Sequence, residues 1–259
     1  MSMHSLSQMT VNAIDINNVT IKFGSHTAVE DINIKIEEGI ICAIVGPNGS
    51  GKTSLLKSIL GVIKPTEGDI KIFGRQQSGV PTNWLGYVPQ IKSLDRSFPA
   101  QSIELVASGM KQSWTGLISK KEKMLALDAL ESVEAGDLAY RQLSSLSGGE
   151  LQRIYLARCI ARRPKIFLLD EPATGIDMVC EVTINNIITE YNRTEGATIV
   201  LVTHDWAVAN SHAQYVLLLN KRQVCYGKPE EAFESDLLSE AFVHGADFLS
   251  KHTHHGAHV

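Results

Sequence analysis

The segment IICAIVGPNGSGKT, residues 40–53, joins an apolar run to a glycine-rich turn and a lysine–threonine pair. It fits the G-x-x-x-x-G-K-[ST] pattern of phosphate-binding loops, with the required strand before it and helix after it. Glycines let backbone N–H groups close around phosphate oxygens, and the helix presents its positive end to them. We therefore predict that this loop binds the phosphates of a nucleotide, in preference to a chance glycine-rich turn.

Two side chains of this loop have specific predicted roles. Lys52 is expected to reach the β- and γ-phosphates, and the Thr53 hydroxyl is expected to bind Mg²⁺. The predicted nucleotide-binding residues of the loop are Gly46, Pro47, Asn48, Gly49, Ser50, Gly51, Lys52, Thr53 and Ser54.

Four continuous apolar runs are typical of strands buried on both faces of a mostly parallel sheet. These runs are IICAIVG (40–46), KIFLLD (165–170), TIVLVT (198–203) and YVLLLN (215–220). Residues 13–39 alternate apolar and polar side chains, which predicts antiparallel strands with one solvated face. Two further segments have helical periodicity: SKKEKMLALDALESVEA (119–135) and ELQRIYLARCIARR (150–163). Pro164 is expected to end the second helix. We therefore predict a helical lobe inserted into an α/β nucleotide-binding core.

The composition limits the classes of partner. The formal net charge is −4, whereas a protein that mainly binds nucleic acid usually carries a basic excess. The four cysteines are scattered without a C-x-x-C pair, as expected for thiols in a reducing cytosol. No secretory leader is evident, and no apolar run approaches the ~20 residues of a membrane-spanning helix. We therefore expect the polypeptide by itself to remain in water.

Polar residues follow two further apolar runs. In KIFLLDEP (165–172), Asp170 is expected to hold Mg²⁺ through its water shell opposite Thr53, and Glu171 to polarise an attacking water as general base. A solvated turn is the alternative for this acid pair. His204 ends another strand, and although a lone histidine is more often structural, a γ-phosphate contact is favoured here because these strands end in the same neighbourhood.

A second glycine pair, in LSGGE (146–150), also opens a predicted helix but lacks a lysine. Together with Gln90 in YVPQ, Asp177 in DEPATGID and His204, this motif makes the sequence resemble the ATP-binding-cassette (ABC) ATPase family. The motifs follow one another in the family's order, and the resemblance covers nearly the whole chain. The resemblance implies that Ser147, Gly148 and Gly149 form an anion-binding helix start facing the phosphate loop of a second copy, so that a dimer encloses ATP. From the residues alone, SGGE is also a helix N-cap, with Ser147 capping and Glu150 in the first turn.

The resemblance also implies roles for single residues. Phe23 is expected to stack on adenine, where tyrosine is the commoner residue; a place in the core is the alternative for Phe23. Gln90 is expected to sense the γ-phosphate through Mg²⁺ or the attacking water. The predicted catalytic residues are Glu171, His204 and Gln90; the Mg²⁺ residues are Thr53, Gln90 and Asp170; and the ATP-binding residues beyond the loop are Phe23, Ser147, Gly148, Gly149, Glu150 and Asp177.

The fold implied by the resemblance is α/β. It is a P-loop nucleoside triphosphatase core, with a RecA-like mostly parallel sheet, an antiparallel β subdomain and an inserted helical subdomain. The expected ABC ATPase domain spans residues 10–235, with its core at 10–90 and 164–232, its helical subdomain at about 91–163, and a helical, histidine-rich tail at 236–259.

The resemblance also implies the cofactors and partners. The cofactors are ATP and Mg²⁺. The partners are a second copy, integral membrane permease subunits gripped by a groove around residues 90–115, and indirectly a metal-binding solute receptor, but not nucleic acid. The expected location is the cytoplasmic face of the cell membrane, as a peripheral subunit.

Two features bear on the cargo. Residues 88–110, which include DRSFP and ASGM, resemble cassettes of manganese, zinc and iron importers, although Gln101–Ser102 departs from their pattern and siderophore and cobalamin importers share part of it. We expect a divalent metal cation, with manganese favoured and zinc next. The tail histidines can bind first-row metal ions, or the tail is simply a disordered polar end. These histidines are His252, His254, His255 and His258.

Other classes fit less well. DNA-repair or chromosome-organising ATPases of the superfamily separate the two glycine motifs by long coiled coils, whereas here Lys52 and Ser147 are close in sequence and no heptads are sustained. Translation factors of the superfamily carry two cassettes, and small-molecule P-loop kinases do not need LSGGE. We therefore expect an ATPase whose hydrolysis is coupled to transport.

Overall fold

The computed structural model describes residues 12–90, 99–110 and 117–242. Its strands are β1 (Asn12–Phe23), β2 (His26–Glu37), β3 (Ile41–Val45), β4 (Glu67–Ile72), β5 (Arg75–Gln76), β6 (Leu85–Val88), β7 (Ile166–Asp170), β8 (Thr198–Val202), β9 (Tyr215–Asn220) and β10 (Arg222–Gly227). Its helices are α1 (Lys52–Leu60), α2 (Ser102–Gly109), α3 (Lys120–Ser132), α4 (Gly148–Ile160), α5 (Met178–Glu195), α6 (Trp206–His212), α7 (Pro229–Ala232) and α8 (Ser235–Phe242).

The strands form one sheet in the order β5-β4-β1-β2-β10-β9-β3-β8-β7-β6. From β9 to β6 every neighbouring pair is parallel, and β3, β7 and β8 are buried along their whole length. The continuous apolar runs are therefore parallel strands covered on both faces, as predicted. Their carboxyl ends meet at one edge of the sheet, where ligands of open α/β sheets bind.

The other half of the sheet is antiparallel. β1 pairs with β2 and β4, and in β2 the side chains of Ile32, Ile34 and Ile36 are buried while those between them are exposed. β10 connects the halves, since it pairs with β9 along its length and with β2 at Arg222 and Glu30. The mixed sheet confirms the predicted fold class.

Helices α2, α3 and α4 form a helical lobe with a core that includes Val106, Leu130 and Ile154. α4 begins at Gly148 with Ser147 as its N-cap, as predicted for SGGE, and it ends at Ile160, before Pro164. At the other end of the chain, α8 packs Leu238 and Ala241 into a cluster with Val216 of β9, so the beginning of the predicted tail is part of the packed domain.

Candidate functional site

The glycine-rich loop lies between the end of β3 and the start of α1. Gly51 has φ +99°, and a Cβ at this position would lie 2.4 Å from the carbonyl oxygen of Ala28, so only glycine fits. The buried Lys52 Nζ donates hydrogen bonds to the carbonyl oxygens of Gly46 (2.8 Å) and Pro47 (2.9 Å). Burial lowers the pKa of Lys52, and the charges of Glu171 and Asp170 oppose this shift. The loop thus surrounds a cationic group, as phosphate binding requires.

A cavity of about 310 Å³ lies beside the loop. Phe23, His26 and Ala28 line one part of it, the loop residues 48–54 line another, and Glu171 also contributes. The Phe23 ring is 50% exposed, which contradicts the alternative of a core residue and leaves its face accessible beside the phosphate loop. The cavity therefore has an aromatic side and a side formed by the glycine-rich loop.

Asp170, at the end of β7, lies against the start of α1. Its Oδ1 accepts a hydrogen bond from Thr53 Oγ1 (3.0 Å), and its Oδ2 accepts one from Tyr87 Oη (3.5 Å). Burial raises the pKa of Asp170, and burial beside this carboxylate raises the pKa of Tyr87 to about 12. A carboxylate and a hydroxyl are hard oxygen donors that suit Mg²⁺, so the donor set fits the predicted ion. Tyr87 was not predicted, although it precedes Gln90 in the same YVPQ segment.

Glu171 lies next to Asp170 but its side chain meets a different set of groups. Its Oε2 accepts hydrogen bonds from Gln90 Nε2 (3.1 Å) and Thr174 Oγ1 (3.1 Å), and His204 Nδ1 lies 3.7 Å away. Three predicted catalytic residues, from the ends of three strands, therefore meet at one carboxylate oxygen. Thr174 was missed, because the sequence pattern does not show which side chains a turn brings together.

The second glycine pair opens α4 with a capping box. Ser147 Oγ accepts a hydrogen bond from Glu150 N (3.3 Å), and Glu150 Oε2 accepts one from Ser147 N (2.7 Å). These hydrogen bonds and the charge of Arg141, whose Nη1 lies 3.2 Å from Glu150 Oε1, hold the pKa of Glu150 below its usual range. The Glu150 carboxylate is thus used within its own chain, so we expect it to orient the helix start rather than contact the triphosphate.

Asp177 is the N-cap of α5, where its Oδ1 accepts a hydrogen bond from Cys180 N (3.0 Å) that lowers the pKa of Asp177. The first turns of α5 and α4 are in contact, since a Cβ on Gly149 would lie 2.6 Å from Cys180 Sγ. Glycine is therefore required where the second glycine motif passes Cys180.

Among the described residues, the second glycine motif does not reach the cavity beside the phosphate loop of its own chain. The described residues that line the loop cavity include none of Ser147, Gly148, Gly149 and Asp177. The predicted tail ligands, from His252 to His258, and residues 91–98 of the metal-importer segment lie outside the described residues. Among residues 12–90, 99–110 and 117–242, no group of three potential metal-binding His, Cys, Asp or Glu side chains occurs.

Comparison with known proteins agrees with this geometry. The model of the ABC transporter family matches residues 29–174. The zinc uptake system ATP-binding protein ZurA of Listeria innocua is 37% identical over 223 residues, which cover 84% of this chain and 86% of ZurA. The manganese transport system ATP-binding protein MntB of Bacillus subtilis is 34% identical over 239 residues, which cover 91% of this chain and 94% of MntB.

Solved structures give the same assignment of fold. A metal-chelate type ABC transporter in an inward-facing conformation superposes with a TM-score of 0.78 at 27% identity, covering 90% of this chain and 89% of that one. A dimer of the ATP-binding cassette MJ0796 in a post-hydrolysis state, with ADP and Pi, superposes with a TM-score of 0.73 at 28% identity, covering 83% and 98%. The second structure shows that such cassettes form dimers.

Proposed function

The chain belongs to the ABC transporter family as an ATP-binding subunit, and on this premise we propose that it hydrolyses ATP to drive import of a divalent metal cation through a membrane permease. The observation that carries the proposal is the convergence of Gln90, Glu171 and His204 beside the Asp170–Thr53 pair. Phosphoryl transfer to water requires a positioned nucleophile and charge stabilisation at the phosphates, which these groups and the loop can provide.

In the proposed reaction, Lys52 and the loop amides neutralise and orient the phosphates. Thr53 and Asp170 would hold Mg²⁺, which supplies positive charge beside the β- and γ-phosphates when it is bound with the nucleotide. Glu171 would accept a proton from the attacking water as general base. Gln90 Nε2 and His204 Nδ1 lie 3.1 Å and 3.7 Å from its Oε2. From there Gln90 would contact the water and His204 would contact the γ-phosphate.

The proposed active unit is a dimer. Ser147, Gly148 and Gly149 would present the amides of their capped helix start to the ATP held on the loop of a second copy. Support comes from their separation from the loop cavity within one chain and from the dimeric structure of the related cassette. Asp177 would lie in the same interface, since it caps the helix that contacts Gly149.

A groove of about 550 Å³ is the proposed docking site for the permease. It was predicted around residues 90–115, of which 91–98 and 111–115 lie outside the described residues. The described lining comes from segments 60–61, 77–87, 108–109 and 158–162. The groove lies between the core and the helical lobe. A permease segment bound in it would therefore move when the helical lobe moves relative to the core. None of the described helices combines the length and apolar character needed to cross a bilayer.

The groove also indicates what its occupant carries. Leu60, Val80 and Leu85 make it partly apolar, whereas two arginines line its other part: Arg158 lies in the last turn of α4, and Arg162 follows two residues after the end of that helix. No carboxylate belongs to its described lining, and neither arginine forms an ion pair with a described residue. A cytoplasmic permease segment with apolar side chains and a carboxylate would complement this surface. The chain would then lie on the cytoplasmic face of the membrane as a peripheral subunit.

The proposed cargo is manganese first and zinc next. Relatives named for either ion are similar to this chain at nearly the same identity, 34–37%. Manganese is favoured on the residues 88–110 that resemble importers of manganese, zinc and iron. A cassette of a siderophore or cobalamin importer is the alternative, because such importers share part of that segment.

Glu171→Gln tests the hydrolytic assignment. With Mg²⁺ and ATP, the variant should bind nucleotide, lose turnover and run as a dimer in gel filtration, while Lys52→Ala should fail to bind ATP and remain a monomer. A Glu171→Gln protein that remained monomeric with full turnover would contradict both the general-base role and the dimer.

Two further measurements test the transport assignment. Uptake of manganese, zinc and iron in a deletion strain, measured ion by ion, should show loss of manganese uptake. Unchanged uptake of all three ions would contradict the proposed cargo.

The double variant Arg158→Glu/Arg162→Glu should retain the ATPase activity of the isolated subunit but lose metal uptake. The control variant Arg158→Lys/Arg162→Lys should retain both the ATPase activity and the uptake. Full uptake by the glutamate pair would contradict the permease groove.

A further inference from the structure

Two hydrogen bonds and a nearby imidazole fix the carboxylate of Glu171. Its Oε2 accepts hydrogen bonds from Gln90 Nε2 and Thr174 Oγ1, each at 3.1 Å, and His204 Nδ1 lies 3.7 Å from the same oxygen. Its Oε1 accepts no hydrogen bond from the described residues. Oε1 is therefore the oxygen available to receive a proton from water, and the contacts to Oε2 determine the direction in which it faces.

The groups that contact Oε2 differ in how firmly they are tied to Glu171. Gln90 follows β6 at the entrance to the helical lobe, and His204 follows β8 with a side chain that is 58% exposed. Thr174 belongs to the same turn as Glu171, and its backbone N–H donates to the carbonyl oxygen of Glu171 (3.3 Å). As a β-branched residue it also has few side-chain rotamers. The Thr174 hydroxyl therefore holds its position relative to Glu171 even when other elements move.

The backbone at Glu171 makes such a local contact necessary. Glu171 has φ +49°, in the left-handed region that residues other than glycine adopt only occasionally, and its N–H donates to the carbonyl oxygen of Val202 (3.0 Å). The main chain is thus fixed to β8, but the flexible side chain beyond it is not. The Thr174 hydroxyl is the local group that restricts it.

We infer that Thr174 is a positioning residue for hydrolysis: its hydroxyl donates to Oε2 of Glu171 and so turns Oε1 towards the attacking water. The inference rests on the proposed role of Glu171 as general base. Among the described residues, Thr174 forms no hydrogen bond with the nucleotide loop or with Asp170, and it does not line the loop cavity. Removal of its hydroxyl should therefore slow the chemical step without changing how the nucleotide binds.

The test compares Thr174→Val, which keeps the branched shape but lacks the hydroxyl, with Thr174→Ser, which keeps the hydroxyl. In full-length protein with Mg²⁺ and ATP, Thr174→Val should lower kcat by about tenfold to a hundredfold, as expected for misplacement of a catalytic group. Its KM, its affinity for ATP and its Tm should stay at the wild-type values. Thr174→Ser should restore most of kcat. In a crystal structure, the Glu171 carboxylate should rotate in Thr174→Val and remain in place in Thr174→Ser.

A double variant separates positioning from a general effect on structure. Thr174→Val should have no further effect on the residual turnover of Glu171→Gln, because the carboxylate that it positions has already been replaced. If Thr174→Val turned over ATP at the wild-type rate while Glu171→Gln was inactive, the positioning role of Thr174 would be overturned and the general-base role of Glu171 would stand. A raised KM with a lowered Tm in Thr174→Val would overturn the positioning role as well, in favour of a purely structural role. Full turnover by Glu171→Gln would instead overturn the general-base role.

Discussion

A methyl group at Gly149 should disturb the contact between the two helices that flank the proposed dimer surface. In Gly149→Ala the new Cβ would lie 2.6 Å from Cys180 Sγ and 2.9 Å from Cys180 Cβ. Carbon atoms in contact are about 3.5–4.0 Å apart, so α4 and α5 must separate by about 1 Å. Overpacking of this kind costs about 1–3 kcal/mol, and the better helix propensity of alanine returns up to about 1 kcal/mol. We expect a net loss of about 1–2 kcal/mol in the free energy of unfolding.

Cys180→Ala supplies the compensating change. It removes the sulfur atom at 2.6 Å but leaves the Cβ at 2.9 Å, so relief should be partial. In urea unfolding, the double variant should be more stable than the sum of the two single changes by about 0.5–1 kcal/mol. Gly79→Ala is the matched control, because a Cβ there meets nothing within 4 Å, and its stability should stay within about 0.5 kcal/mol of wild type.

The same variants connect packing to function. In the Glu171→Gln background, Gly149→Ala should weaken ATP-dependent dimerisation, because it moves the amides that are proposed to face the partner's nucleotide. Adding Cys180→Ala should restore part of the dimer. Strictly additive stabilities, together with a dimer unaffected by Gly149→Ala, would refute both the contact and the placement of this helix start in the interface.

Two other predictions follow from the structure, and a third follows from the sequence of the tail. The Gln152 amide is fully buried and has no hydrogen-bond partner among the described residues, so Gln152→Met should raise the free energy of unfolding by about 1–3 kcal/mol; calorimetry that showed a lower Tm would contradict this. Phe23→Ala should weaken ATP binding by up to about tenfold, as for loss of an aromatic stack, while Phe23→Tyr should retain it; equal affinities in a fluorescent-nucleotide titration would exclude the adenine role. Replacing His252, His254, His255 and His258 by glutamine should reduce Zn²⁺ binding in calorimetry with ATPase activity unchanged; unaltered Zn²⁺ binding would leave the tail without a metal role.

Features encoded by short patterns were predictable from the sequence. Continuous apolar runs gave the parallel strands, and the spacing of Gly46, Lys52 and Thr53 gave the phosphate loop, because each depends on residues that are adjacent in the chain. The meeting of Asp170 with Thr53 also followed, since carboxyl ends of parallel strands lie at one edge of a sheet.

Other features depend on backbone angles or on long-range contacts that no local pattern contains. The hydrogen bond from Thr174 to Glu171 lies in a turn where Glu171 has φ +49°, a value that the residue type does not suggest. The approach of Cys180 to Gly149 depends on how α5 packs beside α4. The groove lined by Arg158 combines segments that are up to about a hundred residues apart in the chain.

The eight residues from Asp170 to Asp177 connect chemistry with assembly. One end of this segment meets Thr53 at 3.0 Å, its second residue is the proposed base, and its last residue caps the helix that touches Gly149. A short turn closed by the bond between Thr174 N and Glu171 O leaves little slack between these points. A shift of the α4–α5 contact when a partner binds would therefore reach Glu171 through this segment. On this reasoning, variants of Asp177, at the end of the segment that meets the α4–α5 contact, should alter dimerisation and turnover together, whereas variants of Arg158 and Arg162 should alter transport and leave both unchanged.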